Sequence, residues 1–191
     1  MQQQLPALKS LSLENRGKGW AVREGMRAAS GEIRLFSDAD NSVSVDHFGA
    51  FEPFLCREGA GKECFDAVIG SIEVGGATIE EHAQWYRRLL GKWSKYLIRI
   101  VSGLWEIHDT QRGFKVFTGR AAQIIFSRQT IGGWGFDIEI LLIAKEHGLR
   151  VKELPVRWVN PAGSKVGLGA YFSTLEELAR IKLNALRGYY K

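Results

Sequence analysis

The chain has 191 residues, 45% apolar and 25% charged, which suits one globular domain with a real core and is long for a simple binding module. Its net charge of +5 and pI of about 9.3 fit anionic partners such as nucleotide sugars, lipid phosphates, headgroups or nucleic acid, without choosing among them. No apolar run approaches the ~20 residues of a membrane span, the first residues do not read as a signal peptide, and no internal repeat is evident.

Residues 1–14 carry little pattern. Asn15-Arg16-Gly17-Lys18-Gly19 is a glycine-rich turn, and a helix is predicted from about Trp20 to Ala29, ended by Gly31 at C′. Ile33 to Ser37 reads as a strand and Asp38-Ala39-Asp40-Asn41 as the loop after it. A loop or short helix covers 43–58, followed by a turn over Gly59 to Lys62. Cys56 and Cys64 match no zinc pattern; one disulfide is compatible with the pair, but two reduced thiols in the cytosol are the expectation. Phe65 to Gly70 reads as a buried strand and 71–80 as a glycine-containing loop.

A long helix is predicted over 80–105, with an apolar face that includes Tyr86, Leu90, Trp93, Leu97 and Val101 and a basic stripe of Arg88, Lys92, Lys95 and Arg99. That face suits anionic headgroups, though such stripes are usually solvated surface. Asp109 to Phe117 is a turn leading into a strand, 119–129 a helix, and Gly132 to Gly135 a break. A helix over 137–147 closes at Gly148, Val151 to Val159 alternates like a strand, 161–165 is a loop, and 171–187 is an amphipathic helix. The alternation of helices and strands predicts an α/β sheet.

The chemistry centres on Asp38 and Asp40. Carboxylates two apart, where a strand gives way to a loop, can lean toward one divalent ion. Oxygen ligands suit Mg²⁺ or Mn²⁺, which hold a substrate's phosphates with one or two protein carboxylates. This predicts a site for a metal-bound nucleotide diphosphate; the alternative is a solvated turn.

Five patterns occur in order: Asn15 to Gly19 with Gly25-Met26; Asp38-Ala39-Asp40; Asp109-Thr110-Gln111 with Gly113-Phe114-Lys115; Gly135-Phe136-Asp137-Ile138-Glu139; and Glu153 to Trp158 with Gly163-Ser164-Lys165-Val166. Together they strongly resemble family 2 glycosyltransferases of GT-A fold over roughly residues 15–167. The glucosyl branch, which makes dolichyl- or polyprenyl-phosphate glucose, is the better match. Members normally begin with two strands ending in Pro-Ala-Tyr-Asn-Glu-like and Asp-Asp-Gly-Ser-like loops that hold the nucleotide's base and ribose. Nothing here corresponds to them, so the chain reads as a single partial domain, truncated at its N-terminus and lacking the usual first strands.

The resemblance implies roles. Asp38 and Asp40 hold Mg²⁺ or Mn²⁺ against the diphosphate. Lys18 neutralises phosphate, or is a solvated turn lysine. Asp109 is the acceptor-side catalytic residue, as general base or orienting group, with a turn-forming aspartate as the alternative. Gln111 lines the same nucleotide-sugar pocket. Asp137 is a second catalytic candidate, although the helix dipole is reason enough for Asp137 and Glu139 at a helix start. Arg157 and Lys165 meet the acceptor phosphate, or lie on the surface. His108, without a ligand-spaced companion, reads as surface or packing.

The function implied is inverting, metal-dependent transfer of glucose from UDP-glucose to dolichyl or polyprenyl phosphate at the cytosolic membrane face, with peripheral membrane contact and no nucleic acid. Two rivals stand beside it. A non-catalytic remnant binding a partner or membrane predicts no metal-dependent nucleotide binding. A nucleic-acid module predicts salt-dependent binding that does not need Asp40.

Overall fold

The computed structural model describes residues 9–56, 63–80, 95–159 and 168–191. In chain order it forms α1 (Lys18–Ala28), β1 (Ile33–Ser37), short helical turns that include α2 (Phe48–Phe51), β2 (Ala67–Ser71) and β3 (Thr78–Glu80). Helical residues 95–102 (α3) follow. Then come β4 (Phe114–Thr118), α4 (Gly119–Arg128), α5 (Phe136–Glu146), β5 (Val151–Pro155), β6 (Arg157–Val159) and α6 (Leu168–Leu186).

Strands β1, β4, β2 and β5 lie side by side in that order. β4 runs antiparallel to both neighbours, and β2 parallel to β5. β2 and β4 are buried at every position, in keeping with the buried strand read over Phe65 to Gly70. Their side chains alternate between two cores, as the two-residue pleat requires. Ala67, Ile69 and Phe117 face helices α1, α4, α5 and α6. Val68, Phe114 and Val116 face Phe51, Leu55 and Val43 on the other side. Phe36 of β1 stacks on Phe117 at 6.3 Å and meets Phe136 of α5 at 5.8 Å.

Helix α1 is set against the loop before α5 by its glycines. Gly17 has φ of +102°, and a Cβ there would lie 2.5 Å from the Gly132 carbonyl; a Cβ on Gly19 would lie 2.6 Å from Phe136 Cβ. The Gln129 amide nitrogen donates to the Gly19 carbonyl at 2.8 Å and the Ile131 carbonyl at 2.9 Å, closing the same contact.

Several boundaries differ from the sequence reading. Helix α1 ends at Ala28, and Ala29, with extended backbone, makes the last helical bond, so Gly31 is not its C′ residue. Residues 78–80 are strand because they pair in parallel with β6, far along the chain; local composition does not register such a partner. Glu80 is therefore strand where the predicted helix was to begin, and α3 closes where Gly103 donates to the Arg99 carbonyl at 2.8 Å. Tyr86, Arg88, Leu90, Lys92 and Trp93 lie outside the described residues, as does the turn at 59–62. The strand expected over 151–159 is divided at Val156, whose buried side chain joins the second core. Cys56 and Cys64 are joined as a disulfide, not two reduced thiols: Leu55 and Phe65 form an isolated β-bridge, and the Cys56 amide donates to the Phe65 carbonyl at 2.9 Å, which brings the two cysteines together.

Candidate active site

Four of the expected residues from three separate motifs meet in one cleft. Lys18 at the start of α1, Asp38 and Asp40 after β1, and Gln111 before β4 line a cavity of about 450 Å³, together with Ser42, Arg112, Gly113, Trp134 and Trp158. Asp38 is the hinge of the arrangement. Its amide donates to the Gly113 carbonyl at 2.8 Å, and one carboxylate oxygen pairs with Lys18 Nζ at 2.6 Å. A Cβ on Gly113 would lie 2.0 Å from the Asp38 carboxyl carbon, so only glycine lets that carboxylate rest against the Gly113 backbone. Lys18 Nζ also lies 5.4 Å from the Trp134 ring centroid and 5.8 Å from that of Phe136, contacts that favour a cation there.

Asp40 is placed differently. Its Oδ1 accepts the Ser42 amide at 3.0 Å, after a turn in which Asn41 adopts φ of 54°. No cation pairs with Asp40 among the described residues. Two hard oxygen donors two residues apart fit Mg²⁺ or Mn²⁺; Asp40 is the one with open coordination, since Asp38 is shared with Lys18. The described residues hold no cluster of three or more His, Cys, Asp or Glu side chains placed for one metal ion.

Asp109 lies under the cleft, not on its wall. It is 3% exposed, and its carboxylate accepts the Ile72 amide at 3.1 Å, the Gln111 amide at 3.3 Å and Arg112 Nε at 2.9 Å. Its own amide donates to Glu153 of β5 at 2.8 Å. The other Glu153 oxygen accepts the His108 amide at 2.8 Å and lies 2.8 Å from His108 Nδ1. Glu153 thus fixes the turn carrying Asp109, and Asp109 fixes Gln111 and Arg112 at the rim.

Asp137 is also below the cleft. It is 3% exposed and pairs at 2.5 Å with Lys115 Nζ, whose side chain is fully buried in β4. Lys115 donates to the Arg112 carbonyl at 2.5 Å as well. Burial pushes the Asp137 carboxyl above the usual carboxylate range, while Lys115 and then Lys18 oppose the shift and Asp38 adds to it. Glu139, two residues on, serves the scaffold. It accepts the Thr130 and Ile131 amides at 3.0 and 2.8 Å, the Thr130 hydroxyl at 2.6 Å and the Tyr190 hydroxyl at 2.8 Å.

Arg157 lies on exposed β6, where its amide donates to His47 Nε2 at 3.1 Å, and it does not line the cleft. Lys165 is outside the described residues. Sequence reasoning gave no role to Arg112, Trp134 or Glu177, nor to Lys115 and Trp158, which it saw only as parts of motifs. Lys115 carried the one available signal, a charged residue inside an apolar strand sequence. Glu177 of α6 accepts the Gly135 amide at 2.6 Å, a contact made over 42 residues that no local pattern announces.

The sheet order, the acidic turn after β1 and the cleft above it define a GT-A glycosyltransferase fold. The chain belongs to glycosyl transferase family 2, whose family model matches residues 2–124. Among curated relatives it is 34% identical over 172 residues to dolichyl-phosphate beta-glucosyltransferase ALG5D of Trichomonas vaginalis, covering 87% of this chain and 50% of that protein. It is 34% identical over 158 residues to the Drosophila melanogaster dolichyl-phosphate beta-glucosyltransferase (81% and 47% covered) and 31% over 183 residues to the human one (94% and 55%). The chain spans about half the length of the curated relatives it matches. Glucosyl-3-phosphoglycerate synthase of Mycobacterium tuberculosis, solved with phosphoglyceric acid, shares the fold with a TM-score of 0.56 at 19% identity, over 96% of this chain and 58% of that one. The same enzyme solved with Mn²⁺, UDP-glucose and phosphoglyceric acid gives 0.53 at 18%.

Proposed function

We propose that the cleft holds the diphosphate and metal of a nucleotide sugar, and that the chain serves inverting transfer of glucose from UDP-glucose to dolichyl or polyprenyl phosphate. The observation that carries this reading is the convergence of Lys18, Asp38, Asp40 and Gln111, 93 positions apart at the extremes (111 − 18), on one cavity. The names of the relatives support glucose and a dolichyl-phosphate acceptor.

In this reading Asp40, with Asp38, holds Mg²⁺ or Mn²⁺, and the ion supplies Lewis-acid charge compensation to the departing diphosphate. Lys18, paired with Asp38 on the cleft wall, adds positive charge for the phosphates, and Gln111 orients the donor. The acceptor is already anionic near neutral pH, so attack at the sugar carbon needs a positioned nucleophile more than a strong base. Asp109 and Asp137 contribute by holding Arg112, Gln111 and Lys115 in place. The site would work at a membrane face, where the lipid acceptor resides; among the described residues no helix is long and apolar enough to cross a membrane.

The test is calorimetric titration of UDP-glucose with and without Mn²⁺, on the native chain and on Asp40→Asn. Binding that requires the metal and disappears in the variant is expected. A folded native chain that binds no nucleotide sugar at any Mn²⁺ concentration overturns the proposal and leaves an interaction module of the same ancestry.

A further inference from the structure

We propose that Arg112 is a phosphoryl-binding cation of the cleft and that Asp109 is its positioning residue. The inference rests on the reading of the cleft as a phosphate site.

Among the described residues two cations line the cleft, and they are committed differently. Lys18 Nζ is taken by Asp38 at 2.6 Å. Among the described residues the Arg112 guanidinium is tethered at one corner, by Nε to Asp109 Oδ2 at 2.9 Å, and its Cζ lies over the Trp158 ring, 4.8 Å from the centroid. Its two terminal amino groups have no hydrogen-bond partner among the described residues, and the side chain is 24% exposed. An arginine held at Nε and set over a ring has already lost much of its rotamer freedom, yet still presents a fork of donors. That geometry suits two oxygens of one phosphoryl group.

The support behind it is built to the same end. The Asp109 carboxylate is fixed by the Ile72 and Gln111 amides, and the turn is fixed by Glu153. The Arg112 carbonyl is fixed by buried Lys115. The arginine's backbone and its Nε are therefore both anchored, while its Nη groups are left for a ligand. The phosphoryl group belongs either to the diphosphate of the donor or to the monophosphate of the acceptor.

The experiment titrates the full chain separately with UDP plus Mn²⁺ and with a short isoprenyl monophosphate, at one fixed salt concentration. It uses the native protein, Arg112→Gln, Arg112→Lys, Asp109→Asn and the double variant Asp109→Asn/Arg112→Gln. Arg112→Gln is expected to weaken one of the two ligands about 10- to 100-fold, and the ligand affected identifies the source of the phosphoryl group. Arg112→Lys recovers only part of the loss, since an ammonium cannot reproduce the fork. Asp109→Asn weakens the same ligand in the native background and adds nothing in the Arg112→Gln background, which a merely structural aspartate would not do. If Arg112→Gln binds both ligands within about twofold of native while native UDP binding is metal-dependent, the inference fails and the phosphate-site reading stands. If the native chain binds neither ligand, both fail. Additive losses in the double variant overturn the role given to Asp109.

Discussion

Asp137 and Glu139 sit two residues apart at the start of α5, both buried, and they solve the problem of a buried carboxylate in opposite ways. Asp137 faces the floor of the cleft and is matched by one full charge, Lys115. Glu139 faces the loop before α5 and the end of the chain, and is matched by four neutral donors from Thr130, Ile131 and Tyr190. A charge matched by a charge depends on every other charge nearby, and Asp38 and Lys18 of the cleft act on Asp137 directly. A charge matched by amides and hydroxyls is a local device that ties segments together. One carboxylate is wired to the site and the other to the scaffold.

The largest effect that tests this contrast is Lys115→Met. It strands Asp137 in the core and is expected to cost about 3–5 kcal/mol in urea denaturation, whereas Lys115→Met/Asp137→Leu together cost much less, because no charge is left unpaired. Equal losses in the single and double variants would break the distinction. Glu139→Gln keeps the shape but turns one acceptor into a donor facing donors. About 1–3 kcal/mol of stability should go, with UDP binding at saturating Mn²⁺ unchanged in the folded fraction; a change in that affinity would place Glu139 with the site.

The pH dependence should separate the two carboxylates further. Asp137 has its folded-state pKa raised above the ordinary value of 3.8 by burial. The native state therefore binds this proton more tightly than the unfolded chain. The stability it contributes is present at low pH and falls as pH rises from near 3.8 to the raised folded value, by at most about 1.4 kcal/mol per pH unit. Asp137→Asn should flatten that slope in a denaturation series run upward from about pH 4. An unchanged slope would mean that Lys115 fully offsets burial. The smallest effect is Tyr190→Phe, about 1 kcal/mol, read in the same denaturation assay, since Glu139 keeps its other donors. The buried Tyr190 phenol, beside that carboxylate, has its pKa pushed well above its usual range.

Much of the site was legible in the chain. Asp38 and Asp40 announce themselves because an acidic pair after an apolar strand is a local pattern. Gly17 and Gly19 read only as a glycine-rich turn, and the structure shows what they are for, the close approach of Gly132 and Phe136. Arg112 was invisible: a single arginine in a turn looks like solvated surface until Asp109 and Trp158 are seen on either side of it. Asp109 drew a catalytic expectation from its motif, but it spends its oxygens on Ile72, Gln111 and Arg112.

By itself the sequence determined the α/β class, the family, the acidic turn and the order of helices and strands apart from β3 and the division of 151–159, since each depends on neighbours a few residues apart or on motifs in sequence. The tertiary structure decided which charges pair. It joined Lys115 to Asp137, Glu153 to the Asp109 turn, Glu177 to Gly135 and Cys56 to Cys64. These choices rest on distances between segments far apart in the chain. The preference of a buried charge or a backbone amide for one partner over another appears only once packing has brought both into reach.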